Sequence, residues 1–441
     1  MLRNLLSGKK SPGKMVMSPE QKKAIQVKKK TEKIKAFILK HFLPISVGLV
    51  VLLISPFLYA MITRLGFGSR FPAHKHFRDM KPSLPSSALE IVAELPMPPG
   101  NVAVSSGGRI FFTFHPEYSP TDVKVAELKS KTIFKAYPNP EFQSKLVTCL
   151  SLRVDKKDRL WLLDFGNHGM RSRPTMYAFA LRKKDKLVKE YVFPSSVAGF
   201  GSMLNDFQVD PSGNFIYIVD TGIVSTTPAL VVYSVVDDRS YRILSQHSSM
   251  YGFSSFLNVA GAWLNFGPMG LKINVDSIGL DRSGSKLYFG ALTGDKLYSI
   301  PTSHLLHYAR ETNASFANSY LLDKTMPDHL SLVTTEKPAT DGIAVDDSGT
   351  IWMTAIEHSA IAVAIPVKMH DTGMPAFAAK QQNFKLRKVV QDEKLLRWPD
   401  GLSFGPDGLY ITNSVLHLKF SGQNWKKHAP FHILKLSRTS V

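Results

Sequence analysis

A short pattern that recurs six times constrains this chain more than any other feature. Each copy is a polar residue, an alternating apolar strand, a turn rich in Asp, Ser or Gly, and a second strand ending in aromatics. The copies are NVAVSSGGRIFFTF at 101–114, LSLRVDKKDRLWLLDFG at 150–166, NDFQVDPSGNFIYIVDTG at 205–222, DSIGLDRSGSKLYFGAL at 276–292, DGIAVDDSGTIWMTA at 341–355 and DGLSFGPDGLYITNS at 400–414. Period-two alternation on both sides of a DxxG-type turn reads as a hairpin. Hairpins spaced roughly 50 to 70 residues apart read as the blades of a propeller. Two further strand candidates follow each copy, such as TMYAFALR with KLVKEYVF and ALVVYSVV with SYRILS. Four strands in each of six units predict an all-β, six-bladed β-propeller over residues 87–441. The regular spacing and the lack of helical periodicity argue against a sandwich or an α/β fold.

The last copy is followed by one clear strand, FHILKLS at 431–437, so the sixth blade lacks its outer strand. The strand-like ALEIVAEL at 88–95 is expected to complete it and shut the ring. Cys149 is the single cysteine, which excludes an intrachain disulfide and any cysteine-rich zinc site. Its apolar surroundings in KLVTCLSL predict a buried, inert thiol.

Composition matters next because of charge. The chain carries 55 Lys+Arg against 35 Asp+Glu, a formal charge of +20. Residues 1–41 hold 12 Lys/Arg and two acids, so half of that excess belongs to a basic tail. No zinc-finger, RRM-like or KH-like motif supports nucleic acid as a partner. Directly after the tail, FLPISVGLVVLLISPFLYAMIT at 42–63 has no charged residue. At about 1.5 Å per residue it makes roughly 33 Å of helix, enough to cross a bilayer core. The lysines before it, against Arg64 and Arg70 after it, predict a single-pass signal anchor with a cytoplasmic N-terminus. Anionic lipid would then meet the tail, residues 64–86 would be a stalk, and the propeller would lie outside the cytoplasm.

In such a ring the first strand of each blade lines the central channel. Aligning the hairpins sets Asn101, Leu150, Asn205, Asp276, Asp341 and Asp400 around one mouth. Three carboxylates drawn together repel one another, and their pKa values rise unless a cation sits between them. Asn205, Asp276, Asp341 and Asp400 are therefore the candidate ligands of a hard cation, most naturally Ca²⁺. Asp or Asn before a strand also caps turns, which is the simpler role for any one of them. The second strands return to the same mouth with His115, Asp164, His168, Asp220, Glu357, His358, Asn413 and His417. Asp341 and His358 are the candidate acid–base residues, His358 because Glu357 adjoins it. The aromatic segment 249–275 is read either as a lid over the mouth or as a strand of the third blade with a connector. There is no GxSxG, HExxH or P-loop motif, and one glycosylation sequon starts at Asn313.

LRVDKKDRLWLLDFG resembles the RVD…GRLWVLD segment of the Yellow/major royal jelly protein family. ALVVYSVVDDRSYRI and IGLDRSGSKLYFGALTGDKLYSIPTSHL resemble that family's following blades in the same order, and the likeness covers roughly residues 85–440. It implies a six-bladed, usually secreted propeller associated with dopachrome-type pigment chemistry or with small amines and sterols in the channel. More distantly, the mouth is similar to gluconolactonase/senescence-marker and paraoxonase propellers, which hold a catalytic Ca²⁺ by acid and amide side chains. Asn205, Asp276 and Asp341 match three such positions. Asp276 stands where those families usually have Asn, and Asn101 where they have Glu. The basic tail, the anchor and the missing cysteines depart from the Yellow pattern. Together these readings predict an anchored propeller acting on or binding a small organic molecule. Its chemistry would be that of a Ca²⁺-dependent lactone or ester hydrolase or of a dopachrome-type isomerase. The alternative is a non-catalytic ligand-binding or protein-docking propeller.

Overall fold

The structure, a computed structural model, describes residues 18–65, 68–72, 75–118, 121–266, 268–311, 329–367 and 384–437. The sequon at Asn313 lies outside them. The chain divides into two units, Met1–Arg64 and Leu65–Val441.

The first unit is dominated by one helix, Pro19–Leu65, which takes in most of the basic tail and all of the expected span at 42–63. Among the described residues no helix is long and apolar enough to cross a membrane. Of the side chains between 43 and 63, only those of Ile54, Ser55 and Tyr59 are described.

In the second unit the six hairpins each grow into a four-stranded antiparallel sheet. The inner strands are Pro99–Val104, Cys149–Val154, Leu204–Val209, Val275–Leu280, Ile343–Val345 and Pro399–Phe404. Each lies against the next, and the last lies against the first, so the sheets form a closed ring of six blades. The DxxG turns have a local cause. Asp210, Asp281 and Asp346 each accept backbone N–H bonds from the residues that follow, such as Asn214 (2.7 Å), Lys286 (3.0 Å) and Thr350 (3.0 Å). Gly213, Gly284 and Gly349 then take the positive φ that completes each turn. On the strands, alternate apolar residues bury between neighbouring blades, as Leu152, Leu160 and Leu162 do beside Phe111. Cys149 is buried in that cluster, and burial pushes its thiol pKa well up, as an inert thiol requires.

Closure follows the expected strand exchange. Leu89–Leu95 pairs antiparallel with Phe431–Ser437, from Leu89 opposite Leu436 to Leu95 opposite Phe431. Two threonines add stitches between blades: Thr113 Oγ1 donates to Leu150 O (2.7 Å), and Thr412 Oγ1 donates to Gly100 O (2.6 Å).

Two expectations need correction. Residues 69–72 and 75–84 of the expected stalk are part of the folded unit. Ser69–Arg70 pairs in parallel with Ser255–Phe256, Phe71 and Phe77 are buried, and the Ser83 and Leu84 N–H groups bond to Lys388 O and Val389 O. The prolines and lysines of this stretch suggest a linker, but its two phenylalanines gain more by burial. The segment 249–275 supplies no strand to the third blade, which is complete with Leu204–Val209, Phe215–Asp220, Ala229–Ser234 and Arg239–Ile243. It forms a seventh small sheet with Ser69–Arg70, whose apolar side packs with Ile356, Trp398, Leu416 and Leu418.

If the exchanged strand closes the ring, Leu95→Ala should lower unfolding stability by about 2–5 kcal/mol, as expected for a buried leucine. Glu90→Ala, on an exposed position of the same strand, should change it by less than about 1 kcal/mol. Urea denaturation of the two variants checks this.

Candidate active site at the ring mouth

All six residues assigned to the mouth line one cavity of about 80 Å³: Asn101, Leu150, Asn205, Asp276, Asp341 and Asp400. They share it with His115, Ser151, Asp206 and Trp398, while Ile223, Ile273, Leu292, Leu416 and Phe420 cover it. The lid reading of 249–275 thus holds in part, because Ile273 reaches the cavity and the small sheet flanks helix Leu416–Phe420. Organic ligands usually occupy about 300 Å³ or more, so one could enter here only as the cover residues move.

A backbone irregularity aims the side chains inward. In the third blade Leu204 pairs with Asp220 and Phe207 with Ile218, so three residues oppose two. The first, second, fourth and sixth blades carry an extra residue at the same place. Such bulges break strict alternation and redirect side chains. As a result Asn205 and its neighbour Asp206 both face the cavity. The glycine after Asp341 has a packing cause rather than a turn cause. A Cβ on Gly342 would collide with the Asp400 carbonyl oxygen of the adjoining inner strand.

Hydrogen bonds divide the acids into two groups. Asp206 accepts from Arg153 Nη2 (2.6 Å), and Arg153 Nη1 donates to Asn101 Oδ1 (2.7 Å). This buried ion pair fixes one side of the ring. On the other side Asn205 Nδ2 and Thr221 Oγ1 (3.2 Å) both donate to Asp276 Oδ1. Asp276 and Asp341 are close enough to interact side chain to side chain, and burial favours the protonated form of both. Trp398 Nε1 donates to Asp341 Oδ2 (2.7 Å). His115 Nε2 stands 3.9 Å from Asp400 Oδ2, and burial pushes this imidazole down to about 3, so it is neutral.

Burial is the first cause of the shifted acids. It raises Asp276 and Asp400 well above the usual carboxylate range, with Asp341 adding repulsion to both. It raises Asp341 to about 6, against the hydrogen bonds from Trp398 and Asp276. Behind the ring, Lys337 is fully buried and its ammonium is pushed down to about 7 by desolvation, although Asp295 and Asp276 oppose the shift. Its Nζ donates to Pro338 O (2.9 Å).

The four expected calcium ligands all line this mouth. Among the described residues no three His, Cys, Asp or Glu side chains are arranged to hold a metal ion. The buried Oδ1 of Asn205, which has no hydrogen-bond partner among the described residues, suits a cation. It suits a ligand N–H or O–H equally well.

His358 is not brought to the mouth. It lies in a separate cleft of about 350 Å³ with Arg70 and Glu357, its ring edge-on to Phe77 at 5.1 Å. Glu357 accepts from the Asn258 N–H (2.8 Å), holding the seventh sheet, and burial pushes its carboxyl up to about 7. Several other second-strand residues are turn caps. Asp164 accepts from Thr148 N (2.9 Å), Asp220 from Met203 N (2.8 Å) and Asn413 from Trp398 N (2.8 Å), each closing its own hairpin. The alignment missed Asp206, Arg153 and Trp398. The adjacent polar pair in NDF and the arginine inside LSLRVD were the available signals.

The profile of the major royal jelly protein family matches residues 147–438. The chain belongs to that family. Major royal jelly protein 3 of Apis mellifera is 27% identical over 200 residues, covering 42% of this chain and 35% of that protein. The dopaminechrome tautomerase of Drosophila melanogaster is 28% identical over 200 residues, 41% of each chain. The matched stretches thus span well under half of these relatives. Among solved structures, the calcium-binding protein regucalcin from Agrobacterium tumefaciens gives a TM-score of 0.47 at 14% identity, over 81% of this chain and 95% of that one. A gluconolactonase from Xanthomonas campestris gives 0.44 at 10%, over 79% and 89%. Likeness at that level transfers no residue roles to this royal jelly-type propeller.

The raised acids set the sign of a pH effect. Each binds its proton more tightly folded than unfolded, so its contribution is full below the unfolded value near 3.8 and is lost as pH rises through the folded value, about 6 for Asp341. Asp341→Asn should therefore lose less stability than the parent chain between pH 4 and pH 7, read as melting midpoints across that range. Millimolar Ca²⁺ should leave the parent's midpoint unchanged, and a rise of several degrees would show that the four donors do close on a cation.

Proposed function

We propose that the mouth is an acid–base site that moves a proton within a small, cyclic, N–H- or O–H-bearing molecule, a tautomerase reaction. The placing of two neighbouring buried carboxyls, Asp276 and Asp341, in one cavity, where burial favours their protonated forms, carries this reading. A pair that holds one proton between two carboxyls offers a base and an acid at the same place, which is what relocating a proton requires. Asn205 Oδ1 supplies a waiting acceptor for a ligand donor. Trp398 fixes Asp341, and Arg153 with Asp206 keeps the opposite wall in place. The ionised member of the pair takes the proton from the substrate, and the protonated member returns one at the new position. The name of the fruit-fly relative, a dopaminechrome tautomerase, is in keeping with this chemistry.

In the same reading, residues 42–63 are a signal anchor, the basic segment before them stays in the cytoplasm against anionic lipid, and the propeller is extracytoplasmic. The asymmetry of lysines around the apolar run supports this topology.

Two experiments test the reading. With dopaminechrome as the probe, the protein should speed loss of the coloured species, and Asp276→Asn or Asp341→Asn should reduce the rate by about 10²-fold or more. Loss no faster than in buffer would leave a ligand-binding propeller without this chemistry. For topology, protease added to sealed vesicles with cytoplasmic face outward should remove the tail and spare the propeller. Digestion of the propeller would reverse the assignment.

A further inference from the structure

The inner hairpins turn at the end of the ring away from the mouth, and two of these turns are built alike. Asp155–Trp161 in the second blade and Asp346–Trp352 in the fifth have the same length and the same bonds. The aspartate N–H bonds to the carbonyl four residues on, Asp155 to Arg159 O and Asp346 to Thr350 O, at 3.0 Å in both. Oδ1 accepts the returning N–H, from Arg159 (2.9 Å) or from Thr350 (3.0 Å). Oδ2 accepts from the indole, Trp161 Nε1 or Trp352 Nε1, at 2.9 Å in both.

The two copies differ in one side chain. In the second blade Arg159 Nε also donates to Asp155 Oδ2 (2.6 Å), the guanidinium lies 4.8 Å over the Trp161 ring, and Nη2 donates to Gly213 O of the third blade (2.7 Å). One planar cation thus pairs the carboxylate, covers the indole and bridges two blades. In the fifth blade the same position is Thr350, whose hydroxyl bonds to Ser348 Oγ (2.9 Å). Among the described residues no cation pairs with Asp346 or lies over Trp352. Nearby Arg282 pairs with Asp347, and Lys156 Nζ donates to Arg282 O (3.4 Å). Asp346, Thr350 and Trp352 instead line a groove of about 720 Å³, together with Val363, Ile365 and Phe404. Phe404 of the sixth blade stands edge-on to Trp352 at 6.2 Å. Sites for small organic molecules have volumes of roughly 300–1,000 Å³. We infer that the groove binds a small guanidinium compound with an aliphatic tail. Its planar cation rests on Trp352 and Asp346 as Arg159 rests on Trp161 and Asp155, and its tail lies along Val363, Ile365 and Phe404. This site is at the opposite end of the ring from the acids of the mouth and does not depend on their chemistry.

The test uses the full chain in detergent, with butylguanidinium as the probe and butylurea as its uncharged isostere. Calorimetric titration should show saturable binding of the guanidinium at millimolar concentration and none of the urea. Thr350→Arg rebuilds the second-blade arrangement from within, so it should weaken probe binding by about 10-fold or more while raising the melting midpoint. Asp346→Asn should weaken it likewise, and Asp276→Asn at the mouth should leave it unchanged. Should either groove variant fail to fold, Val363→Trp, which fills the apolar wall, takes its place. No binding by the parent chain, equal binding of butylurea, or binding that survives Thr350→Arg would overturn the inference. Loss of binding in Asp276→Asn would put the guanidinium at the mouth and overturn it too.

Discussion

Ring closure is the constraint on which the rest of the structure depends. An open row of six blades would leave two unpaired strand edges and no centre. Pairing Leu89–Leu95 with Phe431–Ser437 joins the two ends of the ring of blades. Six inner strands, far apart in sequence, must then begin at one point. Among the described residues no disulfide reinforces the junction, and the only cysteine is buried between the first two blades. The closure therefore relies on backbone pairing and on buried residues such as Leu95, Ile433 and Leu434.

Convergence has an electrostatic consequence. Four aspartates reach the cavity, and only Asp206 has an arginine against it. Asp276, Asp341 and Asp400 are buried together, where three charges would repel strongly in a medium of low polarity. Burial favours the protonated form of all three, and Asp400 faces a neutral His115. Buried acids whose pKa values are raised in this way are a pattern common at functional sites.

The blades and the six mouth positions were legible because hairpin periodicity is a local property. Asp210, Asp281 and Asp346 announce each turn through their own hydrogen bonds, and the strand after each turn alternates cleanly. What escaped the reading depended on register and on tertiary packing. A one-residue bulge decides that Asp206 faces the cavity beside Asn205, and alternation alone predicts the opposite. His358 and Glu357 are neighbours in a mouth-proximal segment, but the seventh sheet claims Glu357 and Phe77 covers His358. The residues before the ring look like a stalk until Phe71 and Phe77 find burial sites more than 180 residues away in sequence, beside Leu257 and Met353. The oxygen donors of the mouth were legible too, whereas the burial that favours protonated carboxyls shows only once they are placed.

The central claim is that Asp276 and Asp341 hold a proton between them at neutral pH. Infrared spectroscopy of the protein with carbon-13-labelled aspartate measures this directly, through the carbonyl stretch of a protonated carboxylic acid. The account predicts such a band at pH 7, weakened or lost in Asp276→Asn and in Asp341→Asn. A spectrum at pH 7 in which every aspartate is ionised would contradict it.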